Sequence, residues 1–183
     1  MFLVSPAGNS LNQMELKKAI LEEHSKAQTD RIVKYVGHDK QRFDALMKVF
    51  LTGDDLILQR AGWPLSYCAQ HNPDFVLPHL GKLLKLLQKP KVHNAVTRNI
   101  VRLLQDVTIP SRYQGQVMAI CFDFIASTEQ PAAVKAFSLT ILEHLAVSYP
   151  DIVPELKLII EERWPYETAA FHSRARKILK KFK

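Results

Sequence analysis

The sequence carries an internal repeat, and this repeat constrains the fold more than any other feature. Pro73, Pro110 and Pro150 follow one another at intervals of 37 and 40 in the numbering. A basic residue recurs at the similar intervals of 38, 37 and 39, at Arg60, Arg98, Lys135 and Arg174. The offset from proline to basic residue is nearly constant, at 24 or 25, in the three units that have both. Because two landmarks keep one offset, the pattern predicts a chain built of stacked, similar units.

Each unit has the hydrophobic periodicity of α-helices. Apolar residues recur three or four positions apart, for example at Leu80, Leu83, Leu84 and Leu87 and again at Phe137, Ile141, Leu142 and Leu145. No stretch alternates apolar and polar residues long enough to predict a strand. The prolines sit where helices can begin, since a proline in the first turn loses no helical hydrogen bond. The sequence therefore predicts an all-α fold.

The helices are predicted to come in antiparallel pairs, because short polar turns separate the two helices of each unit. The predicted pairs are 39–52 with 55–71, 74–88 with 94–107, 111–127 with 131–148, and 151–163 with 170–182. One or two further helices precede them in residues 10–36, and Ser10 with Gln13 is a candidate helix cap there. One pair cannot bury its own apolar faces, so neighbouring pairs are expected to share a continuous core.

We expect a single domain over residues 1–183, a length that suffices for a substantial core. Residues 1–36 would form an N-terminal helical cap, 37–163 the stacked pairs, and 164–183 a basic C-terminal capping helix. The net charge is +7, and residues 164–183 contribute +5 of it, from six basic side chains and one acid. Residues 54–163 are electrically balanced. The positive charge is therefore mostly a property of the last helix.

The units resemble HEAT repeats, which belong to the armadillo-type folds, and the Glu23-His24-Ser25-Lys26 segment resembles bacterial members of this group. The resemblance covers about residues 39–183. It implies a right-handed α-α superhelix, here of about four helical pairs after the N-terminal helices. It also implies a scaffold, since HEAT-like proteins are mostly binding platforms, although function does not follow from fold alone.

In HEAT repeats, an Asp in the turn lies six residues before an Arg of the second helix, and the two types of residue form a ladder between repeats. Here Asp54 precedes Arg60 by six residues, and Glu129 precedes Lys135 by six. The resemblance predicts that both pairs make close contacts, within a repeat or to its neighbour. Glu167 precedes Arg174 by seven. Arg98 has no acid at this distance.

No catalytic or metal-binding motif is present, so the sequence predicts neither an enzyme nor a cofactor. The seven histidines include no HExxH pattern, and the two cysteines form no metal-ligand pair. Cys68 and Cys121 lie in apolar runs, which is typical of small buried side chains in a reducing compartment. With no apolar run of about 20 residues for a membrane span, a cytoplasmic protein is expected.

DNA glycosylases built of HEAT-like repeats are a minor alternative. They hold a damaged nucleotide with tryptophans and an Asp, whereas Trp63 and Trp164 have no Asp at helical spacing.

Pro64 directly follows Trp63 inside a predicted helix. Pro64 removes the N–H that would bond the Arg60 carbonyl, which predicts a bend. This bend either sets the curvature of the stack or exposes Trp63 and the carbonyl to a ligand.

The candidate binding residues are the basic series of the second helices together with Trp63. We expect Arg60, Arg98, Arg102 and Lys135 to line the concave face. Arg98 and Arg102 are the best candidates, because a guanidinium that lacks a ladder acid needs an anion, a carbonyl or water. Trp63 of the preceding unit should lie within about 10 Å of them. Alternatively, Arg98 bonds Asp106 or a turn carbonyl and Trp63 is core.

The sequence favours a non-enzymatic scaffold that binds a protein or peptide partner on its concave face. Nucleic-acid binding through the C-terminal helix and the Arg98–Arg102 pair is the alternative function. The two differ in salt dependence, because phosphate contacts weaken steeply as salt rises.

Overall fold

The computed structural model describes residues 13–183, with side chains from Glu15 onward; the candidate cap at Ser10 lies outside this range. The described chain contains only helices, which confirms the predicted all-α fold, and none of these helices is long and apolar enough to cross a membrane. The α-helices are α1 Gln13–Glu22, α2 Lys26–Val36, α3 Lys40–Thr52, α4 Asp55–His71, α5 Leu80–Leu87, α6 Asn94–Leu104, α7 Ser111–Ala126, α8 Ala132–Ser148, α9 Val153–Arg163 and α10 Ala169–Lys181.

Short 3₁₀ segments precede two helices that the sequence predicts as uniform. The predicted helix 74–88 is a 3₁₀ segment at Pro73–His79 followed by α5, and the predicted helix 151–163 is a 3₁₀ segment at Pro150–Ile152 followed by α9. Pro78 explains the first difference, because it has no N–H to donate to the carbonyl four residues earlier. A third 3₁₀ segment, Trp164–Tyr166, links α9 to the turn before α10.

Side-chain caps fix where several helices begin. Ser25 Oγ accepts a hydrogen bond from the backbone N–H of Gln28 at 3.1 Å. The side chains of Asp39 and Asp54 accept from N–H groups in the first turns of α3 and α4. His93 Nδ1 does the same for α6, at 3.1 Å from Ala95 N. Each cap satisfies a donor that has no partner inside the helix.

The helices pack in sequence order. We call α1, α3, α5, α7 and α9 the first helices and α2, α4, α6, α8 and α10 the second helices. The second helices contact one another in series, from α2 to α10. Among the first helices, α1 contacts α3, α3 contacts the Pro73–His79 segment, and α7 contacts α9. Gln116 of α7 donates to Gln88, just after α5, at 3.0 Å. The N-terminal helices α1 and α2 thus continue both rows.

One apolar core runs between the two rows. Its largest fully buried side chains include Phe43, Phe50 and Phe171. The final helix has the predicted apolar face, with Phe171, Ala175 and Ile178 buried and Leu179 and Phe182 partly buried. Its basic residues lie mostly on the exposed side.

Candidate functional site

The second helices bring three of the predicted binding residues to one pocket. Trp63 comes from α4, and Arg98 and Arg102 come from successive turns of α6. The pocket has a volume of about 270 Å³. We call it the arginine pocket, and it is lined by His24, Gln59, Trp63, Arg98, Asn99, Arg102 and Phe137. Four consecutive units therefore contribute to its wall.

Pro64 does not end helix α4, which continues through it as one α-helix, Asp55–His71. The buried Asn99 side chain of α6 bonds the two carbonyls just before that of Arg60. Its Nδ2 donates to the carbonyls of Leu58 and Gln59 at 3.3 and 3.2 Å. Gly62 allows this approach, because a Cβ there would lie 2.0 Å from Asn99 Nδ2. The glycine and the amide thus hold α4 close to α6 beside the pocket.

Arg98 is exposed, and its side chain makes no hydrogen bond or ion pair with any residue that the structure describes. The alternative in which Arg98 bonds Asp106 or a turn carbonyl is therefore wrong. Trp63 is half-buried rather than core, and the His24 ring meets it edge-on at a centroid distance of 5.7 Å. The pocket thus combines an available guanidinium with an aromatic wall.

Tyr67 lies one turn after Trp63, and two cations, Arg102 and Lys26, lie over its ring beside the pocket. The Arg102 guanidinium lies 5.4 Å from the centre of the Tyr67 ring, and Lys26 Nζ lies 5.1 Å from it. The pKa of Tyr67 is lowered, because the polar N–H groups of Trp63 and then Arg102 favour its phenolate form. The charges of Arg102 and Lys26 act in the same direction. The local potential is therefore positive.

The two other predicted binding residues lie outside the pocket lining. Arg60 Nη1 donates to the carbonyl of Leu21 at 2.8 Å, which joins α4 to the end of α1. Lys135 is 3% exposed, and its Nζ donates to Glu167 Oε1 at 2.5 Å. Arg163 donates to the same oxygen from Nε and Nη2, at 3.1 and 2.8 Å. Both side chains are thus engaged in joining units.

The predicted ladder pairs are wrong in both cases. Asp54 accepts from the N–H of Ile57, and Arg60 bonds the carbonyl of Leu21 instead of Asp54. Glu129 is exposed, and Lys135 pairs with Glu167 instead. The ladder expectation pairs each basic residue with the acid of its own turn. The structure instead joins Lys135 to the acid in the turn of the following unit. Glu167 also pairs with Arg163 rather than Arg174.

Sequence reasoning missed several side chains in and beside the pocket. Tyr67 follows Trp63 by four residues, so helical spacing could have identified it as a neighbour. Phe137 follows Arg98 by close to one repeat length, so the repeat could have identified it too. His24 lies in the turn between α1 and α2, where no periodic signal exists.

The described residues offer little support for covalent or metal chemistry. Burial raises the pKa of both the Cys68 and the Cys121 thiols to about 12, so thiolate is scarce at neutral pH. Among these residues, no three His, Cys, Asp or Glu side chains lie close enough together to hold a metal ion. What the arginine pocket can do chemically is bind an anionic group next to an apolar one.

Comparison with known proteins identifies the family. The sequence model of the HEAT repeat domain matches residues 16–182, which is most of the chain. No curated protein and no solved structure matches the sequence. The match spans the rows of first and second helices from α1 to α10, the same helices that stack in sequence order. The chain therefore belongs to the HEAT repeat family.

Proposed function

We propose that this HEAT repeat chain is a non-enzymatic scaffold that binds a segment of a partner protein in the arginine pocket. The proposal includes a right-handed superhelix of about four helical pairs after the N-terminal helices, with the second helices on its concave face. It also includes a single domain over residues 1–183 working in the cytoplasm. The serial contacts among the second helices support this geometry.

The observation that carries the proposal is the unpartnered Arg98 next to Trp63. Exposed arginine beside tryptophan is the composition of interface hot spots, where a few residues supply most of the binding energy. An arginine also binds carboxylates through two parallel hydrogen bonds, which gives the contact direction as well as strength. The ligand class is therefore a peptide with an acidic side chain.

The size of the pocket favours a peptide side chain over a larger small molecule. Its volume of about 270 Å³ lies just below the range of roughly 300–1,000 Å³ that is typical of small-molecule sites. Trp63 and Phe137 provide apolar contact area beside the cations. We expect the partner to insert one apolar side chain and to place an Asp or Glu against Arg98 and Arg102.

Nucleic-acid binding is the second candidate, and the charge of α10 favours it. Its basic residues Arg176, Lys177 and Lys180 are exposed, and the Arg176 guanidinium also lies 5.6 Å from the Trp164 ring centre. Phosphate binding there would lose affinity steeply between about 50 and 200 mM salt, whereas a peptide held mainly by apolar contacts would change little.

The test compares Arg98→Glu/Arg102→Glu with the matched charge reversal Lys177→Glu/Lys180→Glu. Partner recovery from the host and the melting temperature are measured for both. Loss of a protein partner in the first variant alone, with unchanged melting, is the expected result. In a Trp164→Phe background, addition of that partner should also change the Trp63 fluorescence. If the folded pocket variant retains the partner, the site lies elsewhere.

A further inference from the structure

A groove rimmed by lysines lies between α3 and the segment that contains α5, on the row of first helices. Its volume is about 610 Å³. We call it the lysine groove, and it is lined by Asp44, Lys48, Leu51, Thr52, His79, Lys82, Lys85, Leu86 and Lys89. Leu51 and Leu86 are partly buried and pack on the core, so they give the groove an apolar floor.

No acidic side chain of the described chain forms an ion pair with the four lysines of the groove. Lys48, Lys82, Lys85 and Lys89 are exposed, and within the described chain their side chains make no hydrogen bond or ion pair. The one acid in the lining, Asp44, is already engaged by Lys40 at 2.6 Å and by His79 at 2.7 Å. Burial alone would raise the pKa of Asp44, but the hydrogen bonds from Lys40 and His79 lower it, so it stays ionised.

The complementary surface exists on the same chain. Helix α9 exposes Leu158, at 55% of its maximal area, among three exposed acids, Glu155, Glu161 and Glu162. The side chains of these acids also lack a partner within the described chain. Glu155, Leu158 and Glu162 follow at i, i+3 and i+7, so they share one face of the helix. An apolar side chain flanked by carboxylates is what the lysine groove would accept.

We infer that the lysine groove binds α9 of a second copy of this chain, in a two-fold symmetric dimer. The groove and α9 both belong to the row of first helices, the groove at the second and third members of the row and α9 at its last. An antiparallel arrangement of two copies therefore makes the same contact twice, which is the condition for a closed two-fold interface. Leu158 inserts between Leu51 and Leu86, while the carboxylates face the lysine rim.

Other anionic ligands fit the groove less well. Nucleic-acid phosphates would use the lysines but leave the leucine floor without a partner. A membrane surface requires protruding apolar side chains, whereas Leu51 and Leu86 lie at the bottom of a concave surface. This inference does not depend on the proposed function, because the dimer leaves the arginine pocket outside the interface.

Charge reversal on each surface tests the dimer. Lys48→Glu/Lys85→Glu reverses one lysine on each wall of the groove, and Glu155→Lys/Glu162→Lys reverses the two acids that share a face with Leu158. Molar mass is measured by light scattering and by sedimentation over a series of concentrations of the full chain. We expect the wild type to dimerise, and each variant alone to dimerise at least about 100-fold more weakly, because like charges then face each other.

The mixture of the two variants gives the decisive result. In a heterodimer, lysines again face glutamates at both contacts, so a 1:1 mixture should recover the dimer mass. One chain carrying all four substitutions should also dimerise. Leu158→Ser should weaken the dimer without lowering the melting temperature, because the side chain is exposed. The matched control Lys177→Glu/Lys180→Glu should dimerise like the wild type.

Three results would overturn the inference. These are a wild type that stays monomeric at the highest concentration, variants that dimerise unchanged, and a mixture that stays monomeric although both variants are folded by circular dichroism. Binding of a duplex DNA probe that Lys48→Glu/Lys85→Glu abolishes, in a monomeric wild type, would assign the groove to nucleic acid instead. Arg98→Glu/Arg102→Glu should leave the dimer intact, which separates this inference from the proposed function.

Discussion

Two junctions between successive second helices are held together by different kinds of interaction. Between α8 and α10, the buried Lys135 ammonium bonds Glu167, which lies in the turn between α9 and α10, and Arg163 binds the same carboxylate. Between α4 and α6, the neutral amide of Asn99 bonds two carbonyls across the close approach that Gly62 allows. The first junction depends on charge compensation and the second on shape.

The comparison also explains why the Arg98 side chain is available to bind a ligand, whereas the equivalent Lys135 side chain is not. Lys135 and Arg98 hold equivalent positions in their units, one repeat apart. Lys135 finds an acid in the next unit and is buried, whereas Arg98 points outward while its neighbour Asn99 joins the helices. Because Asn99 makes the contact between α4 and α6, the Arg98 side chain is not used for this contact and stays exposed.

Breaking the charged junction should produce the largest effect on stability. Glu167→Ala leaves the buried Lys135 ammonium without a counter-charge, and this should lower the free energy of unfolding by about 3–5 kcal/mol. Urea unfolding followed by circular dichroism measures the loss. Glu129→Ala, which removes an exposed acid of the same type, should change stability by less than about 0.5 kcal/mol.

If Lys135→Met/Glu167→Leu is as unstable as Glu167→Ala, charge compensation is not the source of the loss. An apolar pair of similar size removes both charges together, so the double variant should recover much of the stability.

Breaking the shape-dependent junction should have an intermediate effect. Gly62→Ala forces a methyl group against the Asn99 side chain and should cost about 1–3 kcal/mol. Adding Asn99→Ala should cost less in this background than in the wild type, which a double-mutant cycle measures. Gly115→Ala in α7 is the control, because a Cβ there meets nothing within 4 Å. It should stabilise the chain by roughly 0.5–1 kcal/mol.

Equal losses from the two glycine substitutions would contradict this view of the α4–α6 junction. They would mean that the loss at Gly62 does not come from contact with Asn99, because the higher helix propensity of alanine would by itself stabilise both variants.

The smallest effects should distinguish the ladder arginines from each other. Arg60→Ala removes the hydrogen bond to the Leu21 carbonyl and should cost about 0.5–1.5 kcal/mol. Arg98→Ala removes no polar side-chain contact within the described chain and should change stability by less than about 0.5 kcal/mol. Thermal melts of both variants, compared with wild type in one buffer, are sufficient. A larger loss for Arg98→Ala would indicate that it supports the fold rather than a ligand.

Much of the fold could be predicted because its signals are local. Prolines and polar caps mark the starts of helices, and the three- and four-residue spacing of apolar residues marks their buried faces. The predicted helices 55–71 and 111–127 end within one residue of α4 and α7. The Pro73–His79 segment differs because a second proline, Pro78, excludes regular α-helical hydrogen bonds.

The contacts of the candidate site were harder to predict because they join distant parts of the chain. The sequence identified Trp63, Arg98 and Arg102 as neighbours through the repeat length, and they do line one pocket. It gave the wrong partner for Lys135, because a spacing of six residues does not say which unit the acid faces. The use of Asn99 as a link to α4 depends on Gly62, and this match is visible only when both helices are in place.

The burial of Lys135 gives the α8–α10 junction a built-in chemical reporter. It is the one buried lysine among those the structure describes, and acylating reagents react with accessible, deprotonated amines. Exposed lysines should therefore be modified at once, whereas Lys135 should be modified only when this end of the chain opens. A short reagent pulse followed by peptide mass spectrometry would then measure how often the last repeat detaches while the remaining repeats stay folded.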